Sequence, residues 1–334
     1  AVWSDVPLKE AWEEVEVFHP RHLVIPKIGR RFYGPLLYLA IHKLIKDLHR
    51  QKAFDVIFGT WGYPDAYAAY KAAQDLNLPL AVKVHGTDIN VLGQNPQRRA
   101  MMTKAFQAAG KVIAVSRALK DIIVSWGIET DKVDLLSNGV NTNVFTPRDK
   151  LVVQKSFDLD QNRKHILFIG NLVLIKGVNH LVDAMVDVTP EADLHIIGDG
   201  PLRSALEQQT EQLDLSKRIF FHGRQPHGQI PLWLNAADIF CLPSLNEGCP
   251  NVVLESLACG TPVVGSKVGA MPDLIHNDLL GRLVPPGDSA QLAASINDIL
   301  QLSHSAREIA SSGAMSWEDN GKKLFEILSG LVRS

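Results

Sequence analysis

The chain has 334 residues, of which 46% are hydrophobic and 21% charged, and its 34 basic and 36 acidic side chains leave a formal charge of −2. This composition is typical of a globular protein, excludes a fibrous or disordered chain, and indicates no nucleic-acid partner. At about 100–200 residues per domain, the length predicts two domains. No apolar run reaches the ~18 residues of a membrane span, and the first residues lack the layout of a signal peptide.

The first half of the chain alternates between helical and strand patterns. Apolar residues recur three and four positions apart from Leu36 to Leu48, which predicts a helix with one apolar face. Four short apolar runs predict strands at 54–58, 78–84, 111–115 and 133–136, with helices between them. Strands joined by helices of this length are typical of a parallel sheet.

The polar stretch 138–150 predicts a loop and a linker, with a domain boundary near residue 148. The alternation then resumes through strands near 165–170, 192–198, 218–223, 238–244, 261–265 and 281–284. The predicted fold is α/β, with two doubly wound Rossmann-like domains at 1–148 and 149–315. A C-terminal helix in 316–334 is expected to pack back on the first domain. Ligands bind beyond the carboxyl ends of strands in such sheets, so the cleft between the two sheets is the expected site.

The segment from Glu247 to Gly265 carries the strongest chemical pattern. A glycine and a proline precede a helix predicted to begin near Asn251, and the unpaired N–H groups of a helix N-terminus attract phosphate. Glu255 lies on this helix, so two carboxylates flank the phosphate position and could hold hydroxyl groups of a sugar and a ribose. On the residues alone, a turn role for Glu247 and a solvated helix position for Glu255 explain the pattern equally well.

Two further residues are candidates with ordinary alternatives. Lys176 stands just before a glycine at a predicted helix start, where it could meet an anion, although a lysine there is usually solvated. His85 follows a strand, and a lone histidine in that position is more often structural. The Gly-x-Gly of IIGDGP, at 196–201, lacks the full dinucleotide-binding pattern and is explained by a tight turn.

The cysteines and acidic pairs predict neither a metal site nor another cofactor. Cys241, Cys249 and Cys259 match no zinc spacing, and an odd number makes a poor disulfide framework, which favours a reducing, cytoplasmic compartment. Cys249 lacks the partner pattern of a catalytic thiol. No Asp-x-Asp pair follows a strand, because Asp158 and Asp160 fall in the linker.

Taken together, the motifs resemble one known family. Glu247 and Glu255, followed by ACGTPVV, resemble the donor-site signature of family 4 glycosyltransferases, which have the GT-B fold. The family's other motifs follow in its order: HGTD (85–88), VSRALK (115–120), NGVNTNVF (138–145), GNLVLIKG (170–177), IIGDGP (196–201), FHG (221–223) and GRLVPPGD (281–288). The resemblance covers about residues 54–334 and is nearest to bacterial polysaccharide and teichuronic-acid-type transferases.

This resemblance implies a retaining glycosyltransferase. The enzyme would move a sugar from a nucleotide diphosphate, expected to be a UDP-sugar, to a hydroxyl of a glycan or lipid-linked acceptor. The second domain would hold the donor and the first the acceptor. A UDP-sugar epimerase of the same fold and a non-catalytic nucleotide- or glycan-binding protein are the alternatives.

The resemblance also implies roles for individual residues. Lys176 would meet the diphosphate, Glu247 the donor sugar, and His85 the reacting sugar from across the cleft. Glu255 would hold the ribose, and Arg224 would lie at the base. The donor loop would approach sugar and phosphate through the backbone of Gly248, Cys249, Pro250, Asn251 and Val252. Asn171 stands where the family commonly has an arginine that pairs with the lysine, so one cation is missing.

The start of the chain departs from the family. The family normally opens with a strand and a glycine-rich loop that approaches the donor phosphates. No such element precedes residue 54, so we expect the first domain to lack its first strand–loop unit.

Basic and apolar residues near the start suggest a surface for anionic lipid. The cations are Arg21, His22, Lys27, Arg30, Arg31, Lys43, Lys46, Arg50 and Lys52, interleaved with apolar residues that include Ile25 and Ile28. Lys43, Lys46 and Arg50 would share one face of the predicted helix. This pattern favours a peripheral contact with the inner membrane face, with a solvated helix face as the alternative.

Overall fold

The computed structural model describes residues 6–24 and 29–332. The chain divides into two compact units. The first unit comprises residues up to 115, 119–136 and those from 324 onward, and the second comprises 116–118 and 137–323. Both units contain parallel sheets joined by helices, so the predicted α/β class with two Rossmann-like domains is confirmed.

The first unit is built on a four-stranded parallel sheet. Its elements, with α5 at the boundary between the units, are β1 (Lys9–Trp12), β2 (Val15–Phe18), α1 (Tyr33–Gln51), β3 (Ile57–Thr60), α2 (Asp65–Leu76), β4 (Leu80–Val84), α3 (Thr87–Asn90), α4 (Pro96–Ala108), β5 (Lys111–Ala114), α5 (Arg117–Ser125) and β6 (Val133–Leu135). The strands β3, β4, β5 and β6 lie side by side in chain order. The antiparallel hairpin β1–β2 forms a separate sheet, and its strands were not predicted.

The first strand of this sheet begins later than predicted. The expected strand at 54–58 is replaced by β3, which starts at Ile57. The backbone N–H of Phe54 donates to Nδ1 of His49 at 3.0 Å, so this residue closes the end of α1 instead of joining the sheet. That contact is between a side chain and the backbone, which an apolar run does not reveal.

The second unit contains a six-stranded parallel sheet. Its elements are α6 (Lys150–Ser156), β7 (Lys164–Ile169), α7 (Val178–Ala184), β8 (Ala192–Ile197), α8 (Arg203–Gln212), β9 (Ile219–Gly223), α9 (Ile230–Ala236), β10 (Ile239–Leu242), α10 (Asn251–Ala258), β11 (Val263–Ser266), α11 (Met271–Leu274), β12 (Gly281–Val284), α12 (Ser289–Gln301), α13 (Ala306–Gly313) and α14 (Trp317–Val332), which continues into the first unit. Side chains such as Ile166, Leu194, Phe240 and Val263 are completely buried at the centre of this sheet.

The winding of this sheet reverses between β7 and β10. The strand order is β12-β11-β10-β7-β8-β9, so the chain moves outward from β7 to β9 and then returns to the other side of β7. Since crossovers between parallel strands are right-handed, the helices of the two halves cover opposite faces and leave a crevice where the order reverses. The loops that follow β7 and β10 therefore meet at one place.

The compact second unit includes the chain from residue 137, so the stretch predicted to be a loop and linker belongs to it. Val140 and Phe145, in the stretch predicted to be a loop and linker, are buried in the apolar core of the second unit. The N–H of Val140 donates to the carbonyl of Met315 at 2.9 Å, and its own carbonyl accepts from Trp317 at 3.1 Å. The stretch is polar in composition, but these apolar and backbone contacts make it part of the second unit.

The C-terminal helix α14 begins in the second unit and ends in the first. Near its end, Leu331 packs so closely on Gly110 that a Cβ there would lie 2.5 Å from the leucine side chain. Gly110 opens the turn into β5, so the last turns of α14 are held by the first unit's own sheet. None of the helices in the described ranges combines the length and the apolar character that crossing a membrane requires.

Candidate active site

A cavity of about 530 Å³ opens at the reversal point of the second unit's sheet. It is lined by residues that follow four of the strands and by the first turns of α10. Of the residues predicted for the donor site, it brings together Asn171, Lys176, Arg224, Pro250, Asn251, Val252 and Glu255. Glu247, Gly248 and Cys249 belong to the loop that leads into α10, directly before this lining.

Two glycines allow the loops at this edge to approach each other. Gly177 has φ +63°, and a Cβ there would lie 2.1 Å from the carbonyl oxygen of Pro243. Gly198 has φ +137°, and its Cβ would lie 1.9 Å from the carbonyl oxygen of Gly170. Only glycine tolerates both the backbone conformation and the contact. Gly177 thereby brings the segment after β7, which carries Lys176, against the segment after β10.

Lys176 and Glu247 are paired directly with each other. The Nζ atom of Lys176 lies 2.7 Å from Oε1 of Glu247, and their side chains are 25% and 9% exposed. The hydroxyl of Ser244 donates to the same oxygen at 2.6 Å. The carboxylate is thus held by two donors, and the lysine is held at the cavity wall. Sequence reasoning placed both residues in the site but did not predict that they contact each other.

The loop from Glu247 to Pro250 is held from behind by a turn. Gly269 has φ +54°, and a Cβ there would lie 2.1 Å from the carbonyl oxygen of Glu247. The N–H of Ala270 donates to the carbonyl of Gly248 at 2.9 Å. These contacts fix the loop's backbone just before α10 begins. Cys249 is half-buried in this loop and packs against the apolar core.

The N-terminus of α10 faces the cavity. Asn251 and Val252, its first two residues, both line it. Within residues 6–24 and 29–332, neither of their backbone N–H groups has a hydrogen-bond partner, whereas the next N–H, of Val253, donates to Pro250. Because the helix dipole places partial positive charge at this end, these N–H groups form a binding position for an anion.

Glu255 lies one turn further along α10 and also lines the cavity. Burial raises the pKa of its carboxyl, and the nearby His227 opposes that effect in part. The imidazole of His227 packs edge-on against the ring of Phe145, with 5.9 Å between centroids. Glu255 thus presents its carboxylate in a partly desolvated position, where ligand hydroxyl groups can replace water as hydrogen-bond donors.

Arg224 and Asn171 lie at the exposed rim of this cavity. Among the described residues, Arg224 has no acidic partner, so its guanidinium is available to a ligand. Asn171 shows no side-chain hydrogen bond within the same part of the chain. Lys176 and Arg224 are the lysine and arginine of the cavity lining. No further one there replaces the charge that is missing at Asn171.

The structure adds Asp199, Gln225 and His227 to the lining, none of which was assigned a site role from the sequence. Each follows the end of a strand, β8 or β9, by a few residues. Their position just after a strand end was therefore the sequence signal that could have identified them as site residues. Gln225 is held by a hydrogen bond from its Nε2 to the carbonyl of His222 at 2.8 Å.

His85 belongs to the first unit, directly after β4. Its ring stacks on that of Trp61, with centroids 5.8 Å apart and 24° between planes. Burial lowers the pKa of His85, and the positive charge of Lys83 adds to this effect while Asp88 opposes it. The imidazole is therefore neutral near pH 7.

Comparison with known proteins decides the family. The Glycosyl transferases group 1 profile matches residues 149–316, and the Glycosyltransferase Family 4 profile matches residues 3–144. The chain belongs to the family 4, group 1 glycosyltransferases. The family match extends nearer to the start than the resemblance recognised in the sequence, which began at about residue 54.

Individual relatives agree with this assignment. An N-acetyl-α-D-glucosaminyl L-malate synthase of Bacillus anthracis is 27% identical over 81% of this chain and 71% of its own length. TuaC of Bacillus subtilis, a glycosyltransferase whose name assigns it to teichuronic acid biosynthesis, is 27% identical over 87% of this chain and 72% of its own. The crystal structure of Anabaena Alr3699/HepE in complex with UDP matches with a TM-score of 0.77 at 23% identity, covering 88% and 82% of the two chains. The predicted resemblance and the GT-B fold are confirmed.

Proposed function

We propose that this glycosyltransferase transfers a sugar, with retention of anomeric configuration, from a UDP-sugar to a hydroxyl of a glycan or lipid-linked acceptor. The observation that carries the proposal is the cavity where Lys176, the N-terminus of α10 and Glu255 converge. A cation and a helix N-terminus suit a diphosphate, and a carboxylate suits the hydroxyls of a ribose. The UDP held by the structurally similar Anabaena protein supports uridine as the base.

In the proposed reaction, the bond from the anomeric carbon to the diphosphate oxygen breaks, and the acceptor oxygen bonds to that carbon on the same face. The acceptor's proton passes to the departing diphosphate. Negative charge grows on the diphosphate as the bond breaks, and Lys176 with the N–H groups of Asn251 and Val252 stabilises it. Preorganised donors of this kind contribute several kcal/mol each in enzyme sites.

Glu247 has two tasks in this proposal. Its carboxylate accepts from hydroxyls of the donor sugar, and it also holds Lys176 at the cavity wall through the 2.7 Å contact. When the diphosphate enters, the lysine can bond to it while the carboxylate keeps its bond from Ser244. His85 is proposed to contact the transferred sugar from the first unit as a neutral imidazole. No metal ion or other cofactor is proposed.

The lipid-linked form of the acceptor is proposed together with a membrane contact through α1. Lys46 pairs with Asp75 at 2.8 Å and Arg50 with Asp47 at 3.2 Å. Lys43 is therefore the cation of the predicted face without an ion pair among the described residues. Of the other predicted members, Ile25, Lys27 and Ile28 lie outside the described residues, as does the side chain of Arg30.

At about 1 kcal/mol per cation near the surface, this face predicts weak binding to anionic vesicles that salt abolishes. Flotation with neutral and with anionic vesicles measures it. Equal recovery with both kinds of vesicle, or none at low salt, would favour a water-soluble glycan as the acceptor.

The donor is tested by thermal unfolding with UDP, ADP and GDP and their sugar conjugates. A ligand at 100 times its dissociation constant stabilises by about 2.7 kcal/mol, so the correct nucleotide should stand out. Proton NMR of the product's anomeric signal then tests retention. Formation of a second UDP-sugar without any acceptor would identify an epimerase, and binding without UDP release with any acceptor would identify a non-catalytic binder.

A further inference from the structure

The turn after β3 holds a strained tryptophan. Trp61 has φ +98°, which is uncommon for any residue other than glycine and is an outlier for a bulky one. Its N–H donates to the carbonyl of Lys83 at 2.8 Å, which ties this turn to the last residues of β4. Strained backbone that the surrounding structure maintains is often found at functional sites.

The strain places the indole beside His85. The two rings are 5.8 Å apart between centroids and 24° from parallel, which is an offset stack. His85 follows β4 directly, and Trp61 follows β3, the neighbouring strand. The indole therefore covers one face of the imidazole and restricts both its rotation and its contact with water.

A single buried carboxylate holds both turns in this arrangement. Asp88 is completely buried and accepts from the N–H of Gly62 at 2.7 Å, which belongs to the tryptophan's turn. It also accepts from the N–H groups of His85 at 3.2 Å and of Gly86 at 2.7 Å, which belong to the histidine's turn. The two rings are thus brought together by two turns, of which three backbone N–H groups bond to Asp88 and one bonds to the carbonyl of Lys83.

We propose that Trp61 is a positioning residue for His85, which it orients and shields from water, with Asp88 fixing the two turns that carry the rings. The proposal rests on the proposed function in one respect, namely that His85 contacts the transferred sugar. A shielded imidazole in a fixed orientation offers one donor and one acceptor nitrogen to sugar hydroxyls. A hydrated imidazole that becomes protonated would lose the acceptor and place a positive charge beside the developing cation at the anomeric carbon.

The charged groups around the imidazole set the direction of the expected change. Burial and Lys83 lower the pKa of His85, and Asp88 raises it. Asp65, on the helix after the tryptophan's turn, lies near Asp88 and His22, and burial raises the pKa of its carboxyl. Removing the indole leaves all these charges in place and lets water reach the ring. The pKa of His85 should therefore move up toward the ordinary value of 6.5.

The test uses Trp61→Gly and Trp61→Phe in the full chain. Glycine accepts the backbone conformation at φ +98°, so Trp61→Gly removes the ring without adding strain. Phenylalanine keeps an aromatic ring over the imidazole. Trp12→Gly, the same change at a highly exposed position of the hairpin, is the matched control. NMR titration of the imidazole signals, with His85→Gln to assign them, reports the pKa, and the pH profile of kcat/KM reports the reaction.

In Trp61→Gly the His85 titration should shift upward by several tenths of a pH unit, and the acidic limb of kcat/KM should shift with it. Trp61→Phe and Trp12→Gly should retain the wild-type values. An unchanged His85 titration in folded Trp61→Gly would overturn the proposal. A shifted titration with an unmoved acidic limb would instead keep Trp61 as the residue that shields the ring and remove His85 from the reaction.

Discussion

Two carboxylates of one motif, eight positions apart, lie in opposite surroundings. Glu247 is held by Lys176 and by the hydroxyl of Ser244. Glu255 lines the cavity from α10 and has no such donor among the described residues, and burial raises the pKa of its carboxyl. The first is a charge already paired and can help to position a cation. Burial disfavours the charged form of the second carboxylate. Ligand hydroxyls that donate to it therefore offset the desolvation penalty that this charge carries in the free protein.

The largest expected effect comes from removing Lys176, the cation that pairs with Glu247. Lys176→Ala should lower turnover by about 10²–10³-fold, the effect of removing one preorganised donor to a developing negative charge. Steady-state kinetics with the donor found by thermal screening measure it. Lys217→Ala, at an exposed position of the same unit, is the control and should leave turnover unchanged.

Lys176→Ala also leaves the Glu247 carboxylate with one donor, so the double variant Lys176→Ala, Glu247→Gln separates two causes. If turnover recovers when the uncompensated carboxylate is removed, the lysine acts by balancing Glu247 and not on the diphosphate.

The second effect concerns Glu247 itself. Glu247→Gln keeps the shape but removes the charge that holds the lysine, and a hydrogen bond to a charged group contributes about 1.5–3 kcal/mol. Turnover should therefore fall roughly ten- to a hundred-fold. Affinity for free UDP should be retained or increase, because Lys176 is released to the diphosphate. Calorimetry with UDP checks this, and a loss of affinity equal to the loss of turnover would contradict the separate roles.

The same elements show how much of the site could be predicted from the sequence. The helix α10 was predicted to begin near Asn251 and does begin there, because the glycine and proline before it are local signals. The contact between Lys176 and Glu247 spans 71 positions and depends on the strand order, which no local pattern contains. His227 was missed for the same reason, since it follows β9 and reaches Glu255 only in the folded sheet.

The stretch before α6 shows a different limit of prediction from the sequence. The stretch 138–150 has the composition of a linker, with three asparagines, two threonines, a glycine and a proline among its residues. Val140 and Phe145 are nevertheless buried in the second unit's core, although residues 141–144 between them are exposed. Composition averages over the stretch, whereas packing depends on those two side chains, so composition alone does not show that the stretch packs with the second unit.

A third prediction tests Glu255, the carboxylate that burial partly desolvates. Glu255→Ala should weaken UDP binding by about 1–3 kcal/mol, because the ribose hydroxyls lose an ionised acceptor. Affinity for inorganic diphosphate should not change, since it has no ribose. Glu211→Ala, an exposed glutamate of α8, serves as the control. Equal weakening of UDP and diphosphate would mean that Glu255 shapes the helix and does not hold the nucleoside.

The raised pKa of Glu255 predicts a smaller effect on stability. Between the ordinary value of 4.5 and the raised value, the folded protein binds more protons than the unfolded chain at this group. Its contribution to the free energy of unfolding therefore increases as the pH falls through that window. Glu255→Gln removes the buried charge, so its Tm should exceed that of the wild type at pH 7, and the difference should narrow toward pH 4.5. A difference that is constant with pH would exclude the carboxyl as its source.

The smallest effect concerns the cation that this chain lacks. Asn171 is exposed at the rim of the cavity, so an arginine can be placed there without breaking a side-chain contact of the described residues. An exposed ion pair contributes up to about 1 kcal/mol, which corresponds to roughly a five-fold change. Asn171→Arg in the Lys176→Ala background should therefore recover about five-fold in turnover, with Asn171→Gln as the uncharged control. In the wild-type background the gain should be smaller, because Lys176 already neutralises part of the diphosphate. Recovery with glutamine as large as with arginine would show that side-chain length at the rim, and not charge, limits the reaction.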